Sequence, residues 1–270
     1  MSRASQTITI EQRIDELLRI FRLPTAAAEL ARRVTEEGHE EALPVLLEVF
    51  EAEQQDRHDR RVERLRRASK LPPGKTLDTF DDKRLPRPLA RKVRELAIGE
   101  FLEHAINVLC FGLPGTGKTH VAAAIGHALV QAGRPVLFAP TFKLVQDMLA
   151  AKRDLELPRA LRKLDTFELL ILDDIGYVQQ NADEIEVLFT LLAERYERRS
   201  TLITSNLVFS QWDRIFKNPM TTAAAIDRLV HHSTILEFDV TSYRTVTPDG
   251  DKNESTSKRR GKEVIDAKDK

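Results

Sequence analysis

At 270 residues, with 42 Lys+Arg balanced by 42 Asp+Glu, the chain has room for one nucleotide-sized domain plus a smaller module, and it is no histone-like polycation. A hydrophobic share of 41% excludes wholesale disorder, and a single cysteine excludes an intramolecular disulfide or a cysteine-cluster metal site. The opening MSRASQTITIEQR has no apolar signal core and no later run approaches a membrane span, so a soluble cytoplasmic protein with no membrane partner is expected.

The first seventy residues read as helices. Ile14, Leu17, Leu18 and Phe21 fall on one helical face, behind a Thr9/Gln12 capping-box pattern. Leu23-Pro24 ends that helix, and Thr25 is the expected cap of a second, alanine-rich helix stopping near Gly38. A third segment runs from about Glu40 to Lys70, with a kink expected at Pro44. Leu71-Pro72-Pro73-Gly74-Lys75 then marks a boundary, because two prolines and a glycine cannot continue a helix.

Beyond it, short apolar runs alternate with amphipathic stretches: Val108–Phe111, Pro135–Ala139, Leu169–Leu172, Leu202–Thr204 and Ile235–Phe238. Such alternation predicts an α/β fold, a parallel five-stranded sheet between helices. The expected organisation is a helical module over 1–70, a nucleotide-binding domain over 71–247 and a disordered charged tail over 248–270.

Gly112-Leu113-Pro114-Gly115-Thr116-Gly117-Lys118-Thr119 matches G-x-x-x-x-G-K-[ST], followed by His120. Glycines let the backbone curl until several N–H groups face one anion. Lys118 is placed to reach the β- and γ-phosphates of ATP and Thr119 to put its hydroxyl on Mg²⁺. The helix expected from Lys118 to Gln131 aims its positive end at the phosphates. Asp173 and Asp174, 55 and 56 residues after Lys118, close an apolar strand at the sheet edge where ligands bind. Asp173 is expected to hold the Mg²⁺ shell and Asp174 to orient the attacking water. Asn206, after Thr201–Ser205, either holds that water or caps the next loop. Arg228 either neutralises charge on the transferred phosphoryl group or is a surface arginine.

Two basic sets stand out. Between Arg57 and Lys70 there are seven Lys/Arg against two Asp/Glu, with Arg57, Arg60, Arg61, Arg64 and Arg67 along one helical side. They form either a phosphate-binding face for DNA or a solvated face paired with Asp56, Asp59 and Glu63. Lys143, Lys152, Arg153, Arg159, Arg162 and Lys163 form the second set. Contacts with duplex DNA are expected to be sequence-independent. Lys258–Lys262 belongs to the tail and reads as solubilising. Cys110 reads as packed core, Trp212 and Phe216 as a packing pair, and His231-His232 has no further ligand at zinc-type spacing.

GLPGTGKTH (Gly112–His120), LLILDDIG (Leu169–Gly176), ERYERRSTLITSN (Glu194–Asn206) and DRLVHHS (Asp227–Ser233) together resemble the AAA+ ATPases of the DnaC/DnaI-like branch, and within it the IstB-like ATP-binding helpers of insertion-sequence transposition. LLRIFRLPTAAAEL (Leu17–Leu30) resembles them more loosely. The resemblance implies an ATPase acting with Mg²⁺, with Asp173 and Asp174 at the Walker B positions, Asn206 at sensor 1 and Arg228 as arginine finger. Most AAA+ proteins carry Asp-Glu at Walker B, and Asp174 shortens the reach to water. The resemblance also implies Arg195 as a second inter-subunit candidate and an apolar wall from Leu77 and Phe80 near the adenine. The implied partners are DNA, a transposase and further copies of the chain. A helicase loader is the alternative, and a non-hydrolysing nucleotide switch the third reading.

Overall fold

The computed structural model describes residues 9–176, 181–212, 215 and 219–240. The expected tail, with Lys258–Lys262, and Phe216 lie outside the described residues.

Three helices lead the chain: α1 (Ile10–Ile20), α2 (Pro24–Glu36) and α3 (Leu43–Ser69). The Thr9/Gln12 capping box forms as its spacing predicts, with side chain and backbone bonding reciprocally. The first helix stops before Leu23-Pro24 as expected, but Thr25 and Pro44 act differently from expectation. Pro24 is the first residue of α2, so Thr25 is no cap, and Pro44 lies in the first turn of α3, so it causes no kink. A proline there gives up an N–H that has no intrahelical acceptor anyway. Ile14, Leu17, Leu18 and Phe21 pack against Ala27 and Leu43 in a small core of their own.

Helix α3 serves two cores. Its first half contributes Leu46, Leu47 and Phe50 to the N-terminal cluster. Its last half sends Val62 and Leu65 into a cluster under the sheet. Arg61 reinforces that second contact by donating to the Gly133 carbonyl from Nε (3.2 Å) and Nη2 (3.0 Å). The Leu71–Pro73 break therefore turns the chain, while packing runs continuously through α3.

Short 3-10 turns aside, the remaining described elements are α4 (Arg87–Ile98), β1 (Asn107–Gly112), α5 (Lys118–Gln131), β2 (Val136–Pro140), α6 (Thr141–Arg153), α7 (Leu157–Asp165), β3 (Leu169–Ile175), α8 (Ala182–Arg195), β4 (Ser200–Ser205), α9 (Pro219–Val230) and β5 (Ser233–Phe238). All neighbouring strands are parallel, in the order β2-β3-β4-β1-β5. Side chains alternate across the sheet. Val108, Cys110, Leu169, Ile171 and Leu202 face α5 and α4, and Leu109, Phe111, Leu170, Leu172 and Ile203 face α6, α8 and α9. This double burial explains why the strands read as continuous apolar runs. Because β3 and β4 are neighbours and β1 lies beside β4, the carboxyl ends of β1, β3 and β4 converge on one edge.

Candidate nucleotide site

β1 runs into the curled loop through Gly112, whose φ of 154° favours glycine. A Cβ there would stand 2.6 Å from the Phe238 carbonyl oxygen of β5, so the loop can leave the sheet this closely only without a side chain. Thr116 Oγ1 donates to the Leu113 carbonyl at 2.9 Å and closes the turn. Gly117, at φ 94°, is the N-cap of α5 and brings no capping side chain. The first-turn N–H groups of α5 therefore stand without a side-chain acceptor from their own cap, the arrangement that accepts phosphate. Lys118 is 8% exposed, and its Nζ donates to the carbonyls of Gly112 (2.7 Å) and Leu113 (2.8 Å).

Thr119 and Asp173, 54 residues apart, meet directly: the threonine hydroxyl donates to Asp173 Oδ1 at 2.9 Å. A hydroxyl and a carboxylate side by side are the hard oxygen donors that Mg²⁺ takes alongside phosphate and water, so the residues fit that ion. Asp173 is further anchored. Thr204 Oγ1 donates to Oδ1 at 2.7 Å, and Thr141 Oγ1 donates to the Asp173 carbonyl at 2.9 Å. The Asp174 N–H donates to Thr204 Oγ1 at 2.8 Å. One buried hydroxyl thus ties both aspartates to β4. The β3–β4 register shifts between Leu172 and Ile175, and Asp174 sits in that bulge at φ 61°, exposed. A bulge re-aims a side chain at a strand end, here out of the sheet and toward solvent. Thr141 and Thr204 went unrecognised from sequence. A threonine closing a strand two residues before Asn206 was the available signal.

The segment before α4 folds over the loop. His120 Nε2 lies 3.1 Å from the Thr76 carbonyl and 3.2 Å from Thr79 Oγ1, and the Phe80 and His120 rings are 5.0 Å apart. Lys75, Thr79, Phe80 and Asp81 join Gly115, Gly117, Lys118, Thr119 and His120 around a cleft of about 340 Å³. Phe80 lines this cleft and also packs on the core below, whereas Leu77 packs on the core without lining the cleft. Asn206 lines a neighbouring cleft with Gly112 and Leu113, and its buried Oδ1 has no hydrogen-bond partner among the described residues. Burial pushes the Cys110 thiol up to about 12, which keeps it an inert core group. Trp212 is fully buried and packs its ring on Phe111 behind the loop.

Arg228 lines neither cleft. Its guanidinium lies 4.6 Å over the Phe189 ring of α8, and Nη1 is buried without a hydrogen-bond partner among the described residues. Arg195 corrects an expectation. It is 2% exposed and donates to the carbonyls of Leu164 (3.0 Å), Phe167 (3.1 Å), Glu168 (3.4 Å) and Ser200 (2.8 Å). It therefore ties the end of α8 to α7 and β4 instead of reaching another subunit. Burial lowers its pKa to about 10.

The first basic set is mostly paired. Arg57 bonds Glu53 and lies over the Phe21 ring, Arg60 pairs with Asp56, and Arg67 pairs with Glu63. Arg61 is spent on Gly133, as described above, and Arg64 is exposed on the same side. In the second set, Lys152 pairs with Glu186 (2.8 Å) and Asp183 (3.3 Å) of α8, while Arg153 is exposed. Among the described residues, no helix is long and apolar enough to cross a membrane.

Solved structures share this architecture. The DnaC helicase loader superposes with a TM-score of 0.54 at 20% identity, covering 62% of this chain and 97% of that one. DnaI gives a TM-score of 0.52 at 21% identity, covering 64% and 96%. These likenesses are of fold alone. Sequence relatives are nearer. An insertion sequence protein of Sinorhizobium fredii, named for ATP binding, is 45% identical over 87% of this chain and 80% of its own length. An insertion sequence IS21 protein of Pseudomonas aeruginosa, also named for ATP binding, is 42% identical over 70% of this chain and 71% of its own. The family model described as IstB-like ATP binding protein matches residues 14–249, and the chain belongs to that family.

Proposed function

We propose that the protein is an AAA+ ATPase that assembles on DNA and assists the transposase of an insertion sequence. The observation that carries this reading is the junction of Thr119, Asp173 and Thr204 beside a glycine-built loop whose lysine lies within it. The relatives' insertion sequence names supply the biological setting.

In this reading the loop N–H groups and the α5 terminus hold the β- and γ-phosphates, and Lys118 exchanges the Gly112 and Leu113 carbonyls for phosphate oxygens. Thr119 and Asp173 would hold Mg²⁺, which would supply positive charge to offset that of the phosphates. Asp174, turned toward solvent by the bulge, orients the water and accepts its proton. Asn206, just past the end of β4, presents an amide oxygen that has no hydrogen-bond partner among the described residues. Phe80 and His120 wall the cleft beside the loop. Arg228, away from its own chain's cleft, serves the nucleotide of a neighbouring copy, so ATP bridges subunits and its hydrolysis loosens them. Duplex DNA is held through its phosphates by exposed cations such as Arg64 and Arg153.

ATP turnover and sedimentation, each with and without duplex DNA, test the reading. Turnover that rises together with assembly on DNA is the expected result. Nucleotide binding without turnover under any condition would replace hydrolysis by a switch role. No nucleotide binding at all would overturn the reading. A transposase that fails to associate with the ATP-bound assembly would remove the helper role.

A further inference from the structure

We propose a second cation site, remote from the nucleotide cleft, formed by Glu197, His231 and His232 and suited to a zinc-class transition-metal ion. Sequence spacing offers the two histidines no third ligand, but the fold supplies one. Glu197 lies in the turn between α8 and β4, and the histidines lie in the turn between α9 and β5. The three side chains each offer a ligand atom, and these atoms all lie within 4.8 Å of one another. His232 Nε2 is 3.9 Å from Glu197 Oε1, and the two imidazole rings are 4.3 Å apart at 66°.

The cluster is built on held backbone. Glu197 sits at φ 56°, a conformation that costs a non-glycine residue free energy and persists only where surroundings impose it. The imposition is visible. The N–H groups of Arg198 (3.1 Å) and Arg199 (3.0 Å) both donate to the Arg195 carbonyl, and the Arg195 side chain is itself locked to four carbonyls. On the other side, the His231 N–H donates to the Asp227 carbonyl at 3.0 Å, and the Asn107 N–H donates to the His232 carbonyl at 2.8 Å. Asn107 Nδ2 also donates to the Leu229 carbonyl, and Asn107 Oδ1 accepts from Thr201 N–H. A single buried asparagine thus ties the start of β4, which follows the Glu197 turn, to the end of α9 and the histidine turn. Tyr196 Oη, 3.2 Å from His231 Nδ1 and hydrogen-bonded to the Glu197 side chain, helps to fix the orientation of both groups.

Ligand chemistry selects the ion. Mg²⁺ and Ca²⁺ require oxygen cages, whereas two imidazoles and one carboxylate suit Zn²⁺ and its neighbours, with a fourth position left for water. The sole cysteine is buried in β1 and takes no part. Bound there, a cation would cross-link the turns that open β4 and β5 and would raise the melting temperature by linkage.

The test titrates Co²⁺, a coloured stand-in for Zn²⁺, into full-length protein stripped with chelator, with and without Mg·ADP filling the P-loop. Wild type is expected to bind one equivalent outside the P-loop, with visible d–d absorption and an upward shift in Tm. His232→Ala and Glu197→Gln are each expected to weaken that binding by about 10- to 100-fold, and Tyr196→Phe by less. Unchanged melting of the metal-free Glu197→Gln variant keeps loss of fold from mimicking loss of a ligand. No binding by wild type beyond the P-loop would overturn the proposal. Unchanged affinity and spectrum in a His231→Ala/His232→Ala double variant would overturn it equally. Neither outcome depends on ATP hydrolysis.

Discussion

Replacing Thr204 by valine keeps the shape of a side chain that is 1% exposed and removes only its hydroxyl. That hydroxyl donates to Asp173 Oδ1 at 2.7 Å and accepts from the Asp174 N–H at 2.8 Å. A hydrogen bond to a charged acceptor is worth about 1.5–3 kcal/mol, and an orphaned buried donor costs about 1–3 kcal/mol. Water reaching the exposed Asp174 offsets part of the second cost, so the expected destabilisation is about 2–4 kcal/mol. For a chain of this size that lowers Tm by roughly 5–15 °C. Catalysis should suffer beyond stability, because both aspartates lose their shared anchor. Lost positioning of about 1.4 kcal/mol already slows turnover tenfold. The assay is ATP turnover at saturating Mg·ATP, well below the melting temperature, alongside calorimetry and a nucleotide titration. kcat should fall by about tenfold or more while nucleotide affinity changes little. Thr204→Ser, which keeps the hydroxyl, should recover most of the loss. Wild-type turnover and Tm in Thr204→Val would refute the idea that this hydroxyl holds the two carboxylates.

Four further outcomes follow from the same geometry. Asp174→Asn should leave ATP binding intact and cut turnover by about 100-fold or more, the usual worth of a positioned base, whereas equal loss of binding in an equilibrium titration would move Asp174 into the binding set. Arg228→Ala should bind nucleotide normally as a monomer and lose ATP-dependent assembly in sedimentation, and unimpaired assembly with full turnover would end its assignment as a finger. Arg195→Gln should lower stability by about 3 kcal/mol or more in a denaturant titration, since several buried carbonyls lose their donor. A stable variant that merely fails to assemble would instead restore the inter-subunit role. Cys110, with its thiol raised from 9 to about 12 by burial, should resist alkylation in the folded protein from pH 7 to 10 and react on unfolding. The unfolded thiol loses its proton first, so this group's contribution to stability is fully present below about pH 9 and declines from there toward pH 12. Alkylation of native protein that accelerates through pH 9 would show the thiol to be open.

What could be read in the one-dimensional chain was whatever neighbouring residues impose on one another. The bounds of α5, Lys118–Gln131, the Thr9/Gln12 cap and the five strands are of this kind, because apolar period, glycine placement and capping chemistry act within a few residues. The loop at 112–119 was legible for the same reason, since its curl is a property of consecutive φ and ψ angles. Proline was legible as a break and ambiguous in sign: Pro24 and Pro44 begin helices because the first turn has no use for their missing N–H. Strand order decided everything that needed partners from afar. Placing β4 beside β3 set Thr204 against Asp173, and the bulge between them turned Asp174 outward. Packing α7, α8 and β4 together buried an arginine that its charge and its motif both suggested was exposed. Tying the start of β4 to the end of α9 through Asn107 gathered Glu197 with His231 and His232. Such meetings depend on which elements become neighbours, a property of the packed sheet that no local pattern encodes.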